Sequence, residues 1–247
     1  MLLEIIVATT VVSLISLIGV VFLSLKKNTL ETIVFVILSF ATGTLFAAAF
    51  FDLFPEAMEG LDSKTVFTVA LAGIMIFFIL ERLVHWHHEH HDHGSHEKPI
   101  AYLVLIGDGL HNFFDGIAIA ASFLTSTELG ITTTFAIIAH EIPQELSDFT
   151  LLTYAGFSAK KALLFNLLSA LTALIGAISF FYLSNYVANL ESYGLAFTAG
   201  AFLYIAGTDL LPELHKEEKT SKSLLQLIAI IAGIVVVWVL INYLGST

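Results

Sequence analysis

Residues 105–123 read LIGDGLHNFFDGIAIAASF, and residues 136–152 read AIIAHEIPQELSDFTLL. Both stretches consist mostly of Ile, Leu, Ala and Phe, as membrane-spanning helices do. They nevertheless contain nine imidazole, amide or carboxyl side chains. These are Asp108, His111, Asn112, Asp115, His140, Glu141, Gln144, Glu145 and Asp148. Polar groups are costly in apolar helices, and that cost guides the interpretation of the whole sequence.

The rest of the chain is also typical of a membrane protein. Of its 247 residues 57% are hydrophobic and 13% are charged, against about 25% charged residues in soluble domains. A helix needs roughly 20 residues to cross the hydrocarbon core. Eight apolar runs of about this length lie at about 5–25, 32–51, 65–84, 100–124, 129–154, 162–183, 193–211 and 224–244. We therefore expect an all-α integral membrane protein in which residues 1–247 form a single domain of eight transmembrane helices.

The basic residues predict the orientation of these spans. With eight spans, nine of the ten basic residues fall in loops on one side of the membrane, and only Lys64 falls on the other. The nine are Lys26, Lys27, Arg82, Lys98, Lys160, Lys161, Lys216, Lys219 and Lys222. By the positive-inside rule that side is cytoplasmic, so both termini are expected to be non-cytoplasmic, with the plasma (inner) membrane as the expected location. The first run follows no basic segment, so we expect it to be a span and not a cleaved signal peptide.

Charge and cysteine content exclude some function classes. The net charge of −11 argues against nucleic-acid binding. Because the chain contains no Cys, disulfides and thiolate metal sites are not available to it.

A weak internal repeat relates the two halves of the chain. Residues 43–57 (GTLFAAAFFDLFPEA) resemble residues 200–214 (GAFLYIAGTDLLPEL), with Asp52 and Asp209 at equivalent positions. The copies end spans two and seven, which run in opposite directions. Inverted repeats with polar central helices are typical of transporters. The pattern is also compatible with a common helix-end sequence.

Helical spacing places the polar groups on two stripes. Asp108, His111, Asn112 and Asp115 are spaced i, i+3, i+4 and i+7, which puts them on one face of span four. On span five, His140, Glu141, Gln144 and Asp148 fall within about 100° of arc, with Glu145 at its edge. We expect the two stripes to face each other.

Charge favours a bound cation between these stripes. Residues 99–159 contain no Lys or Arg, yet five carboxylates lie within the two spans. At roughly 2.5–3.5 kcal/mol each, five ionised carboxylates would cost on the order of 12–17 kcal/mol. The acids must be protonated, face water or bind a cation. The neighbouring imidazoles favour the last, because His, carboxylate and amide oxygen form a ligand set for a divalent transition metal.

Other interpretations stay open at this point. Any one of these polar residues could simply form a hydrogen bond between helices. His140-Glu141 matches the start of the H-E-x-x-H motif, so an intramembrane zinc metalloprotease is one alternative, although position 144 is Gln. A proton or cation carrier that uses only the carboxylates is another, but it leaves the paired histidines unexplained.

The motifs HNFFDG (111–116) and HEIPQELSDF (140–149) resemble the ZIP family of divalent-metal transporters. The likeness is greatest to the branch whose fifth span reads H-E-x-P-H-E-x-G-D, and it covers essentially the whole chain. It implies a 3+2+3 inverted-repeat bundle, a homodimer, and transport of Zn²⁺, and often Fe²⁺, Mn²⁺ or Cd²⁺, into the cytoplasm by an elevator-like alternating-access mechanism.

The resemblance also implies a ligand set. It places metal ligands at His111, Asn112, Asp115, His140, Glu141 and Gln144. Gln144 replaces the His of that branch, and Asn166 in span six stands where some members have an acid. Fewer anionic ligands imply one well-occupied site and loosened metal selectivity.

Two further groups of residues are expected to assist metal transport. The first would support the ligands or line the ion pathway, and it comprises Asp52, Asp108, Glu145, Asp148, Asn166 and Asp209. The second lies in the His-rich cytoplasmic loop 85–98 and would collect metal weakly. Its histidines are His85, His87, His88, His90, His91, His93 and His96. A polar linker without metal-binding function is the alternative for this loop.

Overall fold

A computed structural model describes residues 1–22, 27–86, 97–216 and 220–244, and these residues form eight helical rods without a β-strand. We number the rods α1 to α8, and several consist of more than one helical segment. Their bounds are α1 Leu2–Ile15, Ser16–Ile18 and Gly19–Phe22; α2 Lys27–Ala48, Ala49–Leu53 and Phe54–Gly60; α3 Ser63–Trp86; α4 Glu97–Thr125; α5 Thr127–Tyr154; α6 Ala159–Ala170 and Thr172–Leu183; α7 Leu190–Tyr204, Ile205–Leu210 and Leu211–Leu214; and α8 Thr220–Leu244.

The expected all-α membrane architecture is confirmed, since the described residues of each predicted apolar run lie in one rod. Five segments of the described chain are long and apolar enough to cross a membrane by composition alone, and they belong to α2, α3, α6, α7 and α8. The central rods α4 and α5 are as long, at 29 and 28 residues, but they contain the acidic stripes. The most polar helices of the bundle are therefore its central ones.

The segment predicted as a His-rich loop is partly helical. Because α3 continues to Trp86 and α4 begins at Glu97, both ends of residues 85–98 lie in helices. His87, His88, His90, His91, His93 and His96 lie outside the described residues, and so does the side chain of His85. Metal collection by this segment stays a prediction.

The two copies of the repeat share a local distortion. Both Ala49–Leu53 in α2 and Ile205–Leu210 in α7 are π-helical, and each contains the aspartate of the repeat. A proline follows within the first turn of the next helical segment in each copy. Since π-helical segments are rare and cluster at functional sites, their coincidence at equivalent positions supports the repeat.

The same glycine contact joins α2 to α8 and α3 to α7. A Cβ atom on Gly43 would overlap the carbonyl of Ile230, and one on Gly233 would overlap the carbonyl of Phe40. In the second pair, Gly200 packs against the carbonyl of Ala70, and Gly73 against that of Phe197. In every case the glycine of one helix contacts the carbonyl of the residue three positions before the glycine of the other helix. The two helices therefore cross with their backbones in contact. Such matched crossings are what an inverted repeat produces.

A third crossing of this kind fixes the site-bearing helix α4 against α6. Gly116 packs on the carbonyl of Ala173, and Gly176 packs on the carbonyl of Phe113. Gly116 directly follows Asp115, one of the predicted ligands. The crossing therefore sets the depth at which the polar stripe of α4 lies in the bundle.

Replacing Gly116 by Ala should destabilise the protein, because the new methyl group overlaps the carbonyl of Ala173 and forces α4 away from α6. We expect the free energy of unfolding to fall by about 1–3 kcal/mol, as for other overpacked cores. Thermal unfolding of the purified protein in detergent measures the effect. Gly207→Ala is the matched control, because no atom lies within 4 Å of its added Cβ. Equal melting temperatures for both variants would contradict the backbone contact.

Candidate metal centre

The site forms where the polar stripes of α4 and α5 meet. The two helices are antiparallel neighbours separated by one residue, Ser126, whose side chain accepts a hydrogen bond from the backbone N–H of Leu129 and caps α5. This tight connection fixes the axial register of the two helices. Four predicted ligands lie side by side as a result, and they are His111, Asp115, His140 and Glu141.

The ligand atoms of these four residues converge on one point. The Nε2 atoms of His111 and His140 are 3.3 Å apart. Each Nε2 also lies near both carboxylates. His111 Nε2 is 3.7 Å from Asp115 Oδ2 and 3.3 Å from Glu141 Oε1. His140 Nε2 is 3.4 Å from Asp115 Oδ2 and 3.6 Å from Glu141 Oε1. All four atoms lie within 4.8 Å of one another.

These separations match the edges of a zinc coordination tetrahedron. Zn²⁺ binds imidazole nitrogen and carboxylate oxygen at about 2.0–2.2 Å, so the ligand atoms of a regular tetrahedron are about 3.3–3.6 Å apart. The five measured edges run from 3.3 to 3.7 Å. Five of the six edges between the two nitrogens and two oxygens therefore have the lengths expected around a zinc ion, and the sixth is at most 4.8 Å.

One oxygen of each buried carboxylate receives no hydrogen bond from the described residues. Asp115 and Glu141 are 2% and 1% exposed. Asp115 Oδ2 and Glu141 Oε1 have no hydrogen-bond partner among the described residues, although both face the imidazoles. Buried charges without partners are expensive unless they coordinate a metal. The arrangement therefore fits a cation better than a hydrogen-bonded helix interface.

The surroundings of the imidazoles turn them towards this centre. His140 Nδ1 lies 3.2 Å from the carbonyl oxygen of Ala136, and donation to that oxygen leaves Nε2 with a free lone pair. Phe77 packs edge-on against His111 with ring centroids 5.6 Å apart, and Phe202 packs in the same way against His140 at 6.0 Å. Neither phenylalanine was predicted, because an aromatic residue in an apolar span gives no sequence signal of its own.

The two predicted amide ligands lie beside the cluster and donate to Asp108. Asn112 is fully buried, and its Nδ2 donates to Asp108 Oδ1 at 2.9 Å. Gln144 Nε2 approaches the same oxygen at 3.4 Å. Asn112 Oδ1 is buried and accepts no hydrogen bond within the described chain. Their role as ligands stays a prediction.

Sequence reasoning also missed a polar residue next to the site. Ser169 of α6 donates a short hydrogen bond to Asp108 Oδ2. Since serine is common in transmembrane helices, only its spacing of three residues from Asn166 could have singled it out.

Glu145 and Asn166 form a second buried polar contact. Asn166 Nδ2 donates to the backbone carbonyl of Glu145 at 3.1 Å. Both carboxyl oxygens of Glu145 and Oδ1 of Asn166 are buried without a hydrogen-bond partner in the described part of the chain. The predicted supporting residues therefore add further unsatisfied acceptors to the interior between α5 and α6.

A cavity of about 590 Å³ leads from the cluster towards the lysine-rich side. His111 and His140 line its inner end, and Asp148 and Asp209 line its wall. Its outer part reaches Glu81 and Glu213, at the ends of α3 and α7 that precede the basic loops. Tyr204 of α7 donates a short hydrogen bond to Glu81 across this part of the cavity. With Asp108, which also lines the cavity, five carboxylates follow one passage.

On the opposite side of the cluster the bundle is closed. Ile119 and Ala120, one turn beyond Asp115 on α4, are fully buried. On α5, Ala136 and Ile137 are fully buried as well. Asp52, predicted as a pathway residue, does not line the cavity; its Oδ2 is buried without a hydrogen-bond partner among the residues described. The described structure is therefore open to one side of the membrane.

Comparison with known proteins gives a consistent result. The sequence model of the ZIP zinc transporter family matches residues 2–100 and 86–241. Zinc transporter ZIP13 of Pongo abelii is 38% identical over 216 residues, which are 81% of this chain and 64% of that protein. Zinc transporter ZIP10 of Danio rerio is 47% identical over 124 residues, 50% of this chain and 15% of that protein. Zinc transporter ZIP6 of Homo sapiens is 43% identical over 119 residues, 48% of this chain and 16% of that protein. The matched region thus spans less than two thirds of each of these relatives.

The one-sided cavity predicts a one-sided pattern of chemical labelling. Ser147 is exposed and lines the cavity, whereas Ser122 is fully buried on the closed side. Because the chain has no native cysteine, Ser147→Cys and Ser122→Cys are single-cysteine proteins. We expect a membrane-impermeant maleimide to label Ser147→Cys from the lysine-rich side and to leave Ser122→Cys unlabelled. Faster labelling of Ser122→Cys, or labelling of Ser147→Cys only from the opposite side, would contradict the described opening.

Proposed function

The chain belongs to the ZIP zinc transporter family, and on this basis we propose that it transports divalent transition-metal ions into the cytoplasm. The observation that carries the proposal is the buried cluster of His111, Asp115, His140 and Glu141 at the inner end of an acidic cavity. A soluble metal site would need no such passage, and a structural polar contact would not leave two carboxylate oxygens without donors.

Zn²⁺ is the proposed substrate. Two imidazole nitrogens and two carboxylate oxygens at tetrahedral spacing suit Zn²⁺, whereas Mg²⁺ and Ca²⁺ take six or more oxygen ligands. The relatives are named zinc transporters. Fe²⁺, Mn²⁺ and Cd²⁺ are proposed as further substrates, since N/O sites bind many first-row dications and are selected by geometry and availability.

Within the site we assign the tighter bonds to the four clustered residues. Asn112 and Gln144 would add neutral oxygen ligands when the ion arrives or leaves. Their carbonyl oxygens carry no net charge, so they would hold the ion weakly enough for release. The two imidazoles must be neutral to bind, and the two carboxylates then neutralise the dication.

The described arrangement would represent the state that releases the ion to the cytoplasm. An ion leaving the cluster would pass Asp148 and Asp209 before it reached Glu81 and Glu213. Uptake from the other side requires the closed side to open, which we propose occurs by an elevator-like movement of the site-bearing helices in a 3+2+3 inverted-repeat bundle. Asp52, on the closed side, would then mark the approach.

Further assignments follow from the same family. We propose a homodimer in the plasma (inner) membrane with both termini outside the cytoplasm, as the basic loops predict. The His-rich segment would collect ions weakly near the exit.

The protease and the carboxylate carrier, the two alternative functions, fit the residues of the site less well than a metal transporter does. A metalloprotease of the H-E-x-x-H type needs a second histidine at position 144, where Gln144 donates to Asp108 instead. The family consists of transporters, so we do not propose an enzyme. A carrier that uses carboxylates alone would have no use for two imidazoles at coordination distance.

Uptake by reconstituted protein tests the proposal. We expect proteoliposomes containing the chain to accumulate Zn²⁺, and His111→Ala and Glu141→Ala to reduce the initial rate at least tenfold, because each removes one of four ligands. His215→Ala is the matched control, since His215 is exposed at the end of α7. Competition by Fe²⁺, Mn²⁺ and Cd²⁺ in the same assay ranks the substrates.

Each other outcome of this assay has a distinct meaning. Zn²⁺-independent proton or Na⁺ flux that survives His111→Ala would favour the carboxylate carrier. Cleavage of a membrane substrate without metal uptake would favour the protease. An unchanged uptake rate in both ligand variants would contradict the assignment of this cluster.

A further inference from the structure

Asp108 connects three helices through one buried carboxylate. Its Oδ1 accepts hydrogen bonds from Asn112 Nδ2 on its own helix, at 2.9 Å, and from Gln144 Nε2 on α5, at 3.4 Å. Its Oδ2 accepts a short bond from Ser169 on α6. Asp108 is 5% exposed, so water contributes little to these contacts. Both of its oxygens are therefore occupied by protein donors, and Asp108 itself is poorly placed to leave them for an ion.

The two bonds from the amides to Oδ1, with a further bond from Asn112 Nδ2 to the backbone carbonyl of Asp108 at 3.2 Å, determine how the amides point. A side-chain amide has a donor end and an acceptor end, and exchanging them by rotation leaves the shape of the group almost unchanged. A carboxylate that only accepts hydrogen bonds favours the rotamer with the NH₂ group towards it. The carbonyl oxygen is then directed away from Asp108. In agreement, Asn112 Oδ1 is buried and accepts no hydrogen bond within the described chain.

This orientation matters for a cation. A carbonyl oxygen attracts a dication, whereas an NH₂ group repels it and would donate to the nearby carboxylates, occupying the oxygens that the ion needs. Asn112 follows His111 in sequence, and Gln144 lies one helical turn after His140. A reversed amide at either position would therefore place a competing donor beside the cluster.

We propose that Asp108 is a positioning residue that orients Asn112 and Gln144 so that both amides present oxygen, and not nitrogen, to the transported ion. The inference rests on the proposed transport function. It explains why the two amides, which are predicted ligands, would turn their oxygens towards the ion. Ser169 bonds only to Oδ2, the oxygen that neither amide uses, so the amide orientation does not depend on it.

Three substitutions separate the effect of amide orientation from the effects of the Asp108 charge and of its contact with α6. Asp108→Asn removes the charge but keeps an oxygen for both amides, while its new NH₂ group can donate to Ser169. The Ser169 hydroxyl can then donate its hydrogen bond to the backbone carbonyl of Asn166 or Phe165, at 3.0 and 3.2 Å. Asp108→Leu removes both side-chain acceptors and leaves Asn112 Nδ2 only the backbone carbonyl of residue 108, at 3.2 Å. Ser169→Ala is the matched control, because it removes the contact from α6 and keeps both amide bonds.

The measurement is the Zn²⁺ dissociation constant of the purified protein, obtained by competition with a chromogenic chelator. We expect Asp108→Asn and Ser169→Ala to stay within about threefold of the unmodified protein, and Asp108→Leu to weaken binding about 10–100-fold, the usual loss when a ligand-orienting partner is removed. In proteoliposomes, Asp108→Leu should raise KM for Zn²⁺ far more than it lowers kcat. Melting temperatures measured without metal separate these effects from a loss of folding.

Several results would overturn the inference. If Asp108→Asn binds as weakly as Asp108→Leu, the charge of Asp108 matters and the amide orientation does not. If Asp108→Leu binds like the unmodified protein, Asp108 positions nothing. Should Asp108→Leu fail to fold, Asp108→Ser replaces it, because a hydroxyl is too short to reach both amides, and the same threshold applies. Absence of Zn²⁺ binding by the unmodified protein would instead refute the proposed function.

Discussion

The structure depends on two buried carboxylate oxygens that receive no hydrogen bond from the described residues. Asp115 Oδ2 and Glu141 Oε1 lie within 3.3–3.7 Å of two imidazole nitrogens, and residues 99–159 contain no Lys or Arg. In a membrane interior, negative charge of this kind persists only if a cation compensates it. The proposed cation would lie where α4 and α5 converge, between the acidic cavity and the closed packing on the other side.

The remainder of the bundle holds these two helices at a defined depth. Glycine contacts join α4 to α6, α2 to α8 and α3 to α7 at backbone distance, so side-chain flexibility cannot absorb a shift along these crossings. Between the joined pairs the packing involves larger side chains, such as Phe114 of α4 against Phe77 of α3 and Phe197 of α7. A bundle built from tightly crossed pairs with aromatic contacts between them is suited to movement of whole helix groups and not of single residues.

Helical periodicity made the arrangement of the polar residues on α4 and α5 predictable from the sequence. The stripe Asp108, His111, Asn112 and Asp115 is on one face as expected, and His140 and Glu141 meet it because only one residue separates the helices. What the sequence could not give were contacts across the bundle: the bond from Ser169 to Asp108, and the bond from Tyr204 to Glu81. Serine and tyrosine are ordinary residues of transmembrane helices, and their partners depend on crossing angles that no local pattern encodes. The π-helical segments at Asp52 and Asp209 were likewise missed, although the repeat that contains them was visible.

Anomalous X-ray diffraction at the zinc absorption edge, from crystals of the chain grown with Zn²⁺, tests the central claim most directly. The account predicts one strong peak bonded to Nε2 of both histidines and to Asp115 and Glu141, at about 2.0–2.2 Å. A map without density between α4 and α5 at saturating Zn²⁺, with the four side chains unchanged, would contradict it.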